Sequence, residues 1–443
     1  YRDIEADIVY MALYRDCALT IIFDAASIDP RSQGVMEAQA PITRIYLRSN
    51  RVVEIRARAG TLDAPDNQPR KGWFRDDVVL TMFEAQGDRP LDLSPTSPDK
   101  QLRVLLDDAE FDVDMGTITT DGPVRLLGRG VEFQGRGLDM AYNEANRRLD
   151  ELVIRRGNYV RFRAAAAPIV GEPAPRSADT ALPDSPPDPG ASEPLQVYRA
   201  ELLRDVRVDS RQMHIDADRL RVFFAVSPSA SERQLLGSDD ATSDGGNADP
   251  KEDTQPATDE HGDPRVMRPA DEDVIVRWPG RLVVEPVLDD AAPPLPTPDD
   301  ALLELAGQPV TIETADGETI RAAFVEYHTR AGDMRLLGSD MQPLVLDSPT
   351  MGGQMRGQRL DFDRDGGTGR FVGAGSLRAY DKPGALDRME PQRQLRTDDG
   401  RLPPGFAVTW TDALDLTFFD AEHESPVRSG GMPTMSLRSA TFR

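Results

Sequence analysis

The sequence contains a single cysteine, Cys17, so no disulfide can form within the chain. Histidine is scarce as well: the four histidines are dispersed, without the spacing of paired metal ligands on a helix. No apolar stretch approaches the roughly 20 residues that a membrane-spanning helix needs. The sequence therefore provides no disulfide framework, no cysteine–histidine zinc site and no helical membrane span.

The charge is strongly unbalanced, with 76 acidic residues against 52 basic ones and a net charge of −24. A field of this sign repels nucleic acids, so we expect no nucleic-acid partner. No Gly-x-Ser-x-Gly nucleophile elbow occurs, and carboxylates are too abundant for any one pair to stand out as catalytic. The sequence therefore predicts a protein that is not an enzyme and needs no cofactor.

Hydrophobic residues make up 39% of the chain, below the usual ~45–50%, and the deficit is concentrated in a few acidic or proline-rich stretches. Such stretches bury too little apolar surface to offset their chain entropy, so we expect linkers and disordered insertions there. The predicted order is a β unit at 1–163, a linker at 164–195, a second β unit at 196–287 with an insertion at 227–272, a linker at 288–300, a third β unit at 301–380, a loop at 381–404 and the start of a further, truncated unit at 405–443.

The segments between the linkers alternate apolar and polar residues, as in Arg51–Ala59 (RVVEIRARA). Alternation bounded by Gly, Asp, Asn or Pro is typical of half-buried strands. Residues 138–153 fit either an amphipathic helix or a hairpin, and we favour the hairpin because Leu138, Met140 and Tyr142 alternate with polar or small residues. The sequence predicts an all-β protein that begins in the middle of a strand pattern, as a fragment or processed form would.

A short pattern recurs along the chain: a small residue, two variable residues, Leu, a variable residue and an apolar residue, usually followed two positions later by an aromatic one. Its four copies begin at Gly135, Ala217, Gly357 and Thr411. Strand alternation places the leucine and the next apolar residue on one face. Repetition of such a unit predicts stacked strands with a continuous core, although degenerate strand patterns can also match by chance.

One part of the chain carries a more specific pattern. It contains, in order, RVVEIRARAGTL (51–62), GWFRDDVVLTMFE (72–84), DDAEFDVDMGTITTDGPV (107–124) and GRGVEFQGRGLDMAYNEANRRLDELVI (128–154). These elements resemble the periplasmic proteins of lipopolysaccharide export, the LptC/LptA type with its OstA-like domain. The present chain is more than twice as long as typical members and carries acidic insertions that they lack.

The resemblance implies an open β jelly roll, β-taco-like, of stacked antiparallel strands in repeated OstA-like units with an apolar groove between two sheets. It implies non-enzymatic binding and transfer of lipopolysaccharide or a related lipid in the periplasm. A further expectation is that a segment absent from this sequence anchors the protein to the inner membrane. The implied partners are other Lpt-type β domains, added by edge-strand pairing, and an inner-membrane transporter complex. The alternative is a structural β-repeat scaffold with a filled core and no lipid ligand.

Inward-facing apolar residues of the repeats could line such a groove or fill an ordinary dry core, and the sequence leaves both readings open. The candidates are Leu138, Met140, Tyr142, Leu149, Leu220, Val222, Phe224, Leu360, Phe362 and Phe371.

The segment from Asp361 to Gly366 (DFDRDG) starts like a calcium-binding loop, but Val372 stands where the bidentate glutamate of such a loop belongs. We therefore interpret the segment as a hairpin turn and predict no metal site. The tryptophans at positions 73, 278 and 410 are interpreted as core or edge aromatics rather than as platforms for sugars.

Overall fold

The computed structural model of the protein describes residues 9–15, 18–32, 35–47, 51–64, 70–84, 91–94, 97–112, 114–128, 130–143, 148–163, 196–226, 273–287, 293, 295, 300–349, 352–363, 367–380, 404–420 and 435–442. The 27 strands found in these ranges pair antiparallel in one sheet. This confirms the predicted all-β fold. Among the described residues, no helix has the length and apolar character to cross a bilayer. The linkers at 164–195 and 227–272, and most of 288–300 and 381–404, lie outside the described residues.

The first fourteen strands are β1 Val9–Arg15, β2 Ala18–Ala25, β3 Ser27–Ser32, β4 Val35–Gln39, β5 Ile42–Leu47, β6 Arg51–Arg56, β7 Ala59–Asp63, β8 Lys71–Glu84, β9 Lys100–Asp112, β10 Thr117–Gly128, β11 Val131–Asn143, β12 Arg148–Phe162, β13 Gln196–Asp209 and β14 Met213–Val226. The others are β15 Val274–Arg277, β16 Leu282–Pro286, β17 Ala301–Thr314, β18 Thr319–His328, β19 Met334–Leu337, β20 Leu344–Ser348, β21 Gly353–Gly357, β22 Arg359–Asp363, β23 Thr368–Val372, β24 Gly375–Tyr380, β25 Pro404–Trp410, β26 Ala413–Asp420 and β27 Met435–Phe442. Strands β11 and β12 pair along their length, which confirms the hairpin predicted for residues 138–153.

Most long strands change register at the same level of the sheet, and we call this line the crease. The register shifts lie at Arg75/Val78 in β8, Thr120/Pro123 in β10, Leu203/Val206 in β13 and Ala306/Val310 in β17. The φ angles of Asp76 and Asp77 in β8 are 61° and 56°, in the left-handed region. A bulge bends its strand, so aligned bulges fold the sheet into two walls.

The long strands β8–β14, β17 and β18 cross the crease and contribute one half to each wall, whereas the short strands belong to one wall only. Wall 1 contains β1, β2, β5, β6, β15, β20, β21, β24 and β25, and wall 2 contains β3, β4, β7, β16, β19, β22, β23, β26 and β27. The walls meet beside the crease. A Cβ added to Gly135 of wall 1 would lie 2.8 Å from Ile154 of wall 2, and one added to Gly357 would lie 2.7 Å from the ring of Phe371.

The four repeat copies occupy equivalent places in wall 2. In each copy the leucine is buried, the next residue is charged and the one after it is apolar: Leu138-Asp139-Met140 in β11, Leu220-Arg221-Val222 in β14, Leu360-Asp361-Phe362 in β22 and Leu414-Asp415-Leu416 in β26. The leucines of β22 and β26 both pair with Phe371 of β23, which lies between these strands. The pattern seen in the sequence therefore corresponds to one recurring strand position beside the crease.

The charged middle residues of the repeats form ion pairs across the outer face of wall 2. Arg335 lies 3.2 Å from Glu326 and 3.3 Å from Asp361, and Arg370 lies 3.4 Å from Asp415. Each exposed pair of this kind contributes little by itself, about 0–1 kcal/mol. Such a row nevertheless disfavours a one-residue slip, because a slip would turn every charge into the core.

The second β unit enters the sheet out of chain order. β15 and β16 lie end to end between β12 and β13, as one strand interrupted at residues 278–281, and together they pair with both neighbours; we call them the inserted strand. Strand pairing and the apolar core therefore continue from the first unit into the second. The unit boundaries themselves stay a prediction.

A hydrogen-bonded network joins β13, β14 and β15 on the outer face of wall 1. His214 lies between two carboxylates, 2.6 Å from Asp209 and 2.9 Å from Asp216. Arg277 pairs with Asp209, and Arg207 lies 3.0 Å from Asp216. Burial raises the pKa of Asp216, but the hydrogen bonds from Arg207 and His214 outweigh this effect and hold it below its ordinary value.

Tyr159 provides a pH-dependent prediction for the same face. Burial, together with a 2.8 Å hydrogen bond to Glu132, raises the pKa of Tyr159 from 10.0 to about 12. Between these two values the unfolded chain loses the proton and the folded chain keeps it, so the free energy of unfolding falls as the pH rises through this window. We expect Tyr159→Phe to reduce this alkaline loss. Denaturant titrations at stepwise pH compare the two proteins, and equal alkaline slopes would contradict the assignment.

Candidate functional site

The inner face of wall 2 carries two parallel rows of apolar side chains. We call the row next to the crease the crease row; from β11 to β26 its members are Leu138, Ile154, Leu282, Leu202, Leu220, Leu305, Val325, Leu336, Leu360, Phe371 and Leu414. All eleven are apolar although they come from widely separated parts of the chain. Because directly paired residues share a face, the row forms one unbroken strip.

The second row lies two residues farther from the crease, and we call it the lip row. Its members are Phe111, Ile118, Met140, Leu152, Val284, Ala200, Val222, Leu303, Tyr327, Met334, Phe362, Gly369 and Leu416. No charged residue interrupts it. Wall 2 therefore presents a broad apolar surface towards wall 1.

Exposure rises along one strand as the distance from the crease increases. On the inner face of β11, Leu138 is 9% exposed, Met140 is half-buried and Tyr142 is 44% exposed. A closed two-layer core would bury all three side chains. The gradient indicates that the walls touch at the crease and separate towards Tyr142, with an apolar cleft between them.

Wall 1 provides the opposite surface of this cleft. One row of its inner face runs through Ile55, Leu80, Val104, Leu126, Phe133, Val160, Val276, Val208, Ile215, Ile312, Ile320, Leu346, Met355 and Leu377. Both walls of the cleft are therefore apolar over their described length.

The exposure of these rows also changes along the cleft. In wall 1, Leu80, Leu126 and Val160 are half-buried, whereas Val276 and Val208 are each 2% exposed. Wall 1 is therefore less buried along β8–β12 than along β15, β13, β14 and β17, and it becomes half-buried again at Leu346 and Leu377.

The structure brings the residues predicted from the repeats onto the inner face of wall 2. Leu138, Leu220, Leu360 and Phe371 lie in the crease row, and Met140, Val222 and Phe362 lie in the lip row. Tyr142 and Leu149 pair with each other at the open margin, and Phe224 stacks on Tyr198 with ring centroids 5.9 Å apart. Their role as lipid contacts stays a prediction.

Several cleft residues were not among the candidates, because they lie outside the repeat. Ile118 and Leu152 flank Met140 on the neighbouring strands, and Leu126 and Val160 face the cleft from wall 1. Strand alternation predicts that each of them lies on the apolar face of its strand. The sequence alone did not indicate which strands are neighbours, and that pairing is what brings these side chains together.

Trp278 closes the cleft at the crease beside β12. It is 1% exposed, and its ring lies 6.0 Å from that of Phe133. A Cβ added to Gly157 would lie 2.1 Å from the indole, so only glycine fits beneath the ring. Of the three tryptophans, Trp278 and Trp410 are core residues and Trp73 is 39% exposed, in agreement with the interpretation as core or edge aromatics.

The open margin of wall 2 is polar outside and apolar inside. Lys71 lies 2.6 Å from Asp112, and this hydrogen bond lowers the pKa of Asp112 and raises that of Lys71. In the neighbouring turn Met115 is 71% exposed, next to the 44% exposed Tyr142. An amphipathic ligand would meet charges at the rim and apolar side chains below it.

No group of three or more His, Cys, Asp or Glu side chains in the described part of the chain is arranged to hold a metal ion. Residues 364–366 of the calcium-like segment lie outside the described residues, and Asp363 ends strand β22 before them. No protein-family model matches the chain, and a comparison with curated proteins finds no similar sequence.

Proposed function

We propose that the protein binds the acyl chains of lipopolysaccharide or a related amphipathic lipid in the cleft, and transfers the lipid without catalysing a reaction. The observation that carries the proposal is the exposure gradient on β11, where inward-facing side chains stay apolar as they become exposed to solvent. Exposed apolar strips that are rimmed by polar residues are typical of binding sites rather than of ordinary surface.

The chemistry of the walls favours an acyl chain over a peptide. The strands that line the open cleft, β8 to β12, are each paired on both sides, so their backbone donors and acceptors are already used within the sheet. A peptide lying in the cleft would bury amide groups without hydrogen-bond partners, which costs roughly 1–3 kcal/mol for each group. An acyl chain has no such groups, and its burial contributes about 0.8 kcal/mol per methylene.

The resemblance to the LptC/LptA type supports the same substrate class, and its most specific motif, residues 120–154, lies in β10 to β12 of the open cleft. Transfer in this proposal is passive, and the energy comes from a partner transporter. A periplasmic location, attachment to the inner membrane and assembly with other Lpt-type β domains complete the proposal.

The test is lipid uptake measured by native mass spectrometry, with purified lipopolysaccharide and a delipidated control. Met140→Asp and Leu152→Asp place a charge on the half-buried lip row, so the fold should tolerate them better than a charge in the crease row. We expect each to weaken binding about tenfold or more, because a carboxylate in the cleft must be desolvated. Gln134→Asp is the matched control, since it adds the same charge to the exposed face of β11.

The second candidate function is a structural scaffold with a filled core. The observation that favours it is the close packing of the later strands, where Leu336 and Leu414 are fully buried. A delipidated, folded protein that takes up no lipid would support the scaffold and contradict the lipid proposal. Equal binding by Met140→Asp, Leu152→Asp and Gln134→Asp would place the lipid outside the cleft.

A further inference from the structure

We infer that the cleft is blind: acyl chains occupy only the part lined by β8–β12 and stop at the inserted strand, where the space between the walls becomes filled by protein. This inference rests on the proposed lipid binding and names where in the molecule it takes place. It makes the protein a receiver that holds lipid at one end, rather than a conduit open along its whole length.

Wall 1 shows the transition most sharply. Leu126 and Val160 are half-buried, and Phe133, which pairs with both of them, is 8% exposed. The next two residues of the same row, Val276 and Val208, are each 2% exposed. Aliphatic residues occupy both sides of the transition, so the difference lies in how much space separates the walls.

Wall 2 shows the same transition a few strands later. Met140, Leu152 and Val222 in the lip row are half-buried, and Leu303, the partner of Val222, is 3% exposed. Farther on, most of the lip row is closely packed: Met334 and Phe362 are each 8% exposed, and Leu416 is 3% exposed. Tyr327, which lies between Leu303 and Met334 in this row, is half-buried.

On wall 1 the end of the open part coincides with the inserted strand. The backbone N–H of Gly157 donates to the carbonyl of Gly280 at 2.7 Å, and that of Leu203 donates to the carbonyl of Arg281 at 3.1 Å. These bonds hold the segment that carries Trp278 in the crease, where its indole fills the space above Gly157. The inserted strand thus forms the end of the open cleft, and a second aromatic contact, between Phe371 and Trp410 at 5.6 Å, fills space farther along.

A blind cleft limits what the protein can take and how it can release it. A lipid must enter and leave through the side lined by β8–β12, near Tyr142 and Met115. Affinity should rise by about fourfold per methylene while the acyl chain still contacts apolar wall, and should then level off once the acyl chain reaches the inserted strand. A conduit that is open throughout would give no such plateau.

Two tyrosines of wall 2 provide a matched pair for the experiment. Tyr142 lies at the margin of the open part, and Tyr327 lies in the lip row of the filled part, and neither side chain is fully buried. Each is replaced in turn by the photoreactive residue p-benzoylphenylalanine, which keeps an aromatic ring at the position. The full-length variants are loaded with lipopolysaccharide, checked for a lipid adduct by native mass spectrometry and irradiated.

We expect a cross-link to the lipid at position 142 that exceeds the one at position 327 by about tenfold. Equal cross-linking at both positions, or stronger cross-linking at 327, would overturn the blind cleft and leave lipid binding intact. An adduct without a cross-link at either position would also overturn it. A folded protein with neither adduct nor cross-link would refute the proposed function itself.

Discussion

Replacing Gly157 by alanine is expected to destabilise the protein by about 3 kcal/mol, the upper end of the usual cost of overpacking a core. The added Cβ would lie 2.1 Å from Cε2 and 2.2 Å from Nε1 of Trp278. The indole is 1% exposed and lies against Phe133, so it cannot move aside freely. Chemical denaturation of the purified variant measures the effect.

Gly128→Ala is the matched control for this prediction. Gly128 also lies in a strand of wall 1, and the atom nearest to its added Cβ is 3.5 Å away, an ordinary contact. We expect this variant to be neutral, or more stable by about 0.5–1 kcal/mol because the unfolded chain loses freedom. The double variant Gly157→Ala, Trp278→Leu should be less destabilised than the sum of its two single variants. Full additivity would show that the glycine and the indole do not meet.

Replacing Arg161 by methionine is expected to destabilise the protein by about 3 kcal/mol, because it leaves a buried carboxylate without its cation. The Asp273 side chain is 8% exposed, and Nε of Arg161 donates to it at 2.7 Å. The pair joins the end of β12 to the residue that precedes β15, so it also holds the start of the inserted strand in place. Thermal and urea unfolding measure the loss.

Two further variants separate the ion pair from general effects of the substitution. Arg70→Met removes an arginine that lies 3.7 Å from Asp114, in an ion pair whose two side chains are both more than half exposed. We expect it to change the free energy of unfolding by less than about 0.5 kcal/mol. The double variant Arg161→Met, Asp273→Leu should regain much of the lost stability, since paired apolar residues can replace a buried ion pair. If the double variant is no more stable than Arg161→Met alone, the loss does not come from the stranded carboxylate.

The sequence predicted the strand class and the faces of the strands well, because alternation is a local property of the chain. Leu138-Asp139-Met140 already shows which side chains share a face, and the structure places the same arrangement at all four repeat copies. The hairpin at residues 138–153 followed from the same alternation.

The position of β15–β16 could not be predicted in this way. The pairings put this inserted strand between β12 and β13, and a long segment of chain separates it from β14. A period-two pattern matches many partners equally well, and the entropy of loop closure grows only slowly with loop length, so neither selects the neighbour. Trp278 could therefore be assigned to a core or an edge, but not to the end of a cleft.

The amino-acid sequence by itself determined that the chain forms β-strands, which side chains lie on their apolar faces and which segments cannot contribute to a core. Only the tertiary structure decided that Met140 and Leu152 are half-buried in a cleft, while Phe362, which occupies the same repeat position as Met140, is buried. The physical reason is that the exposure of an apolar side chain depends on the distance to the opposite wall. Aligned bulges, the inserted strand and a single indole set that distance, and all three depend on contacts between residues far apart in the chain.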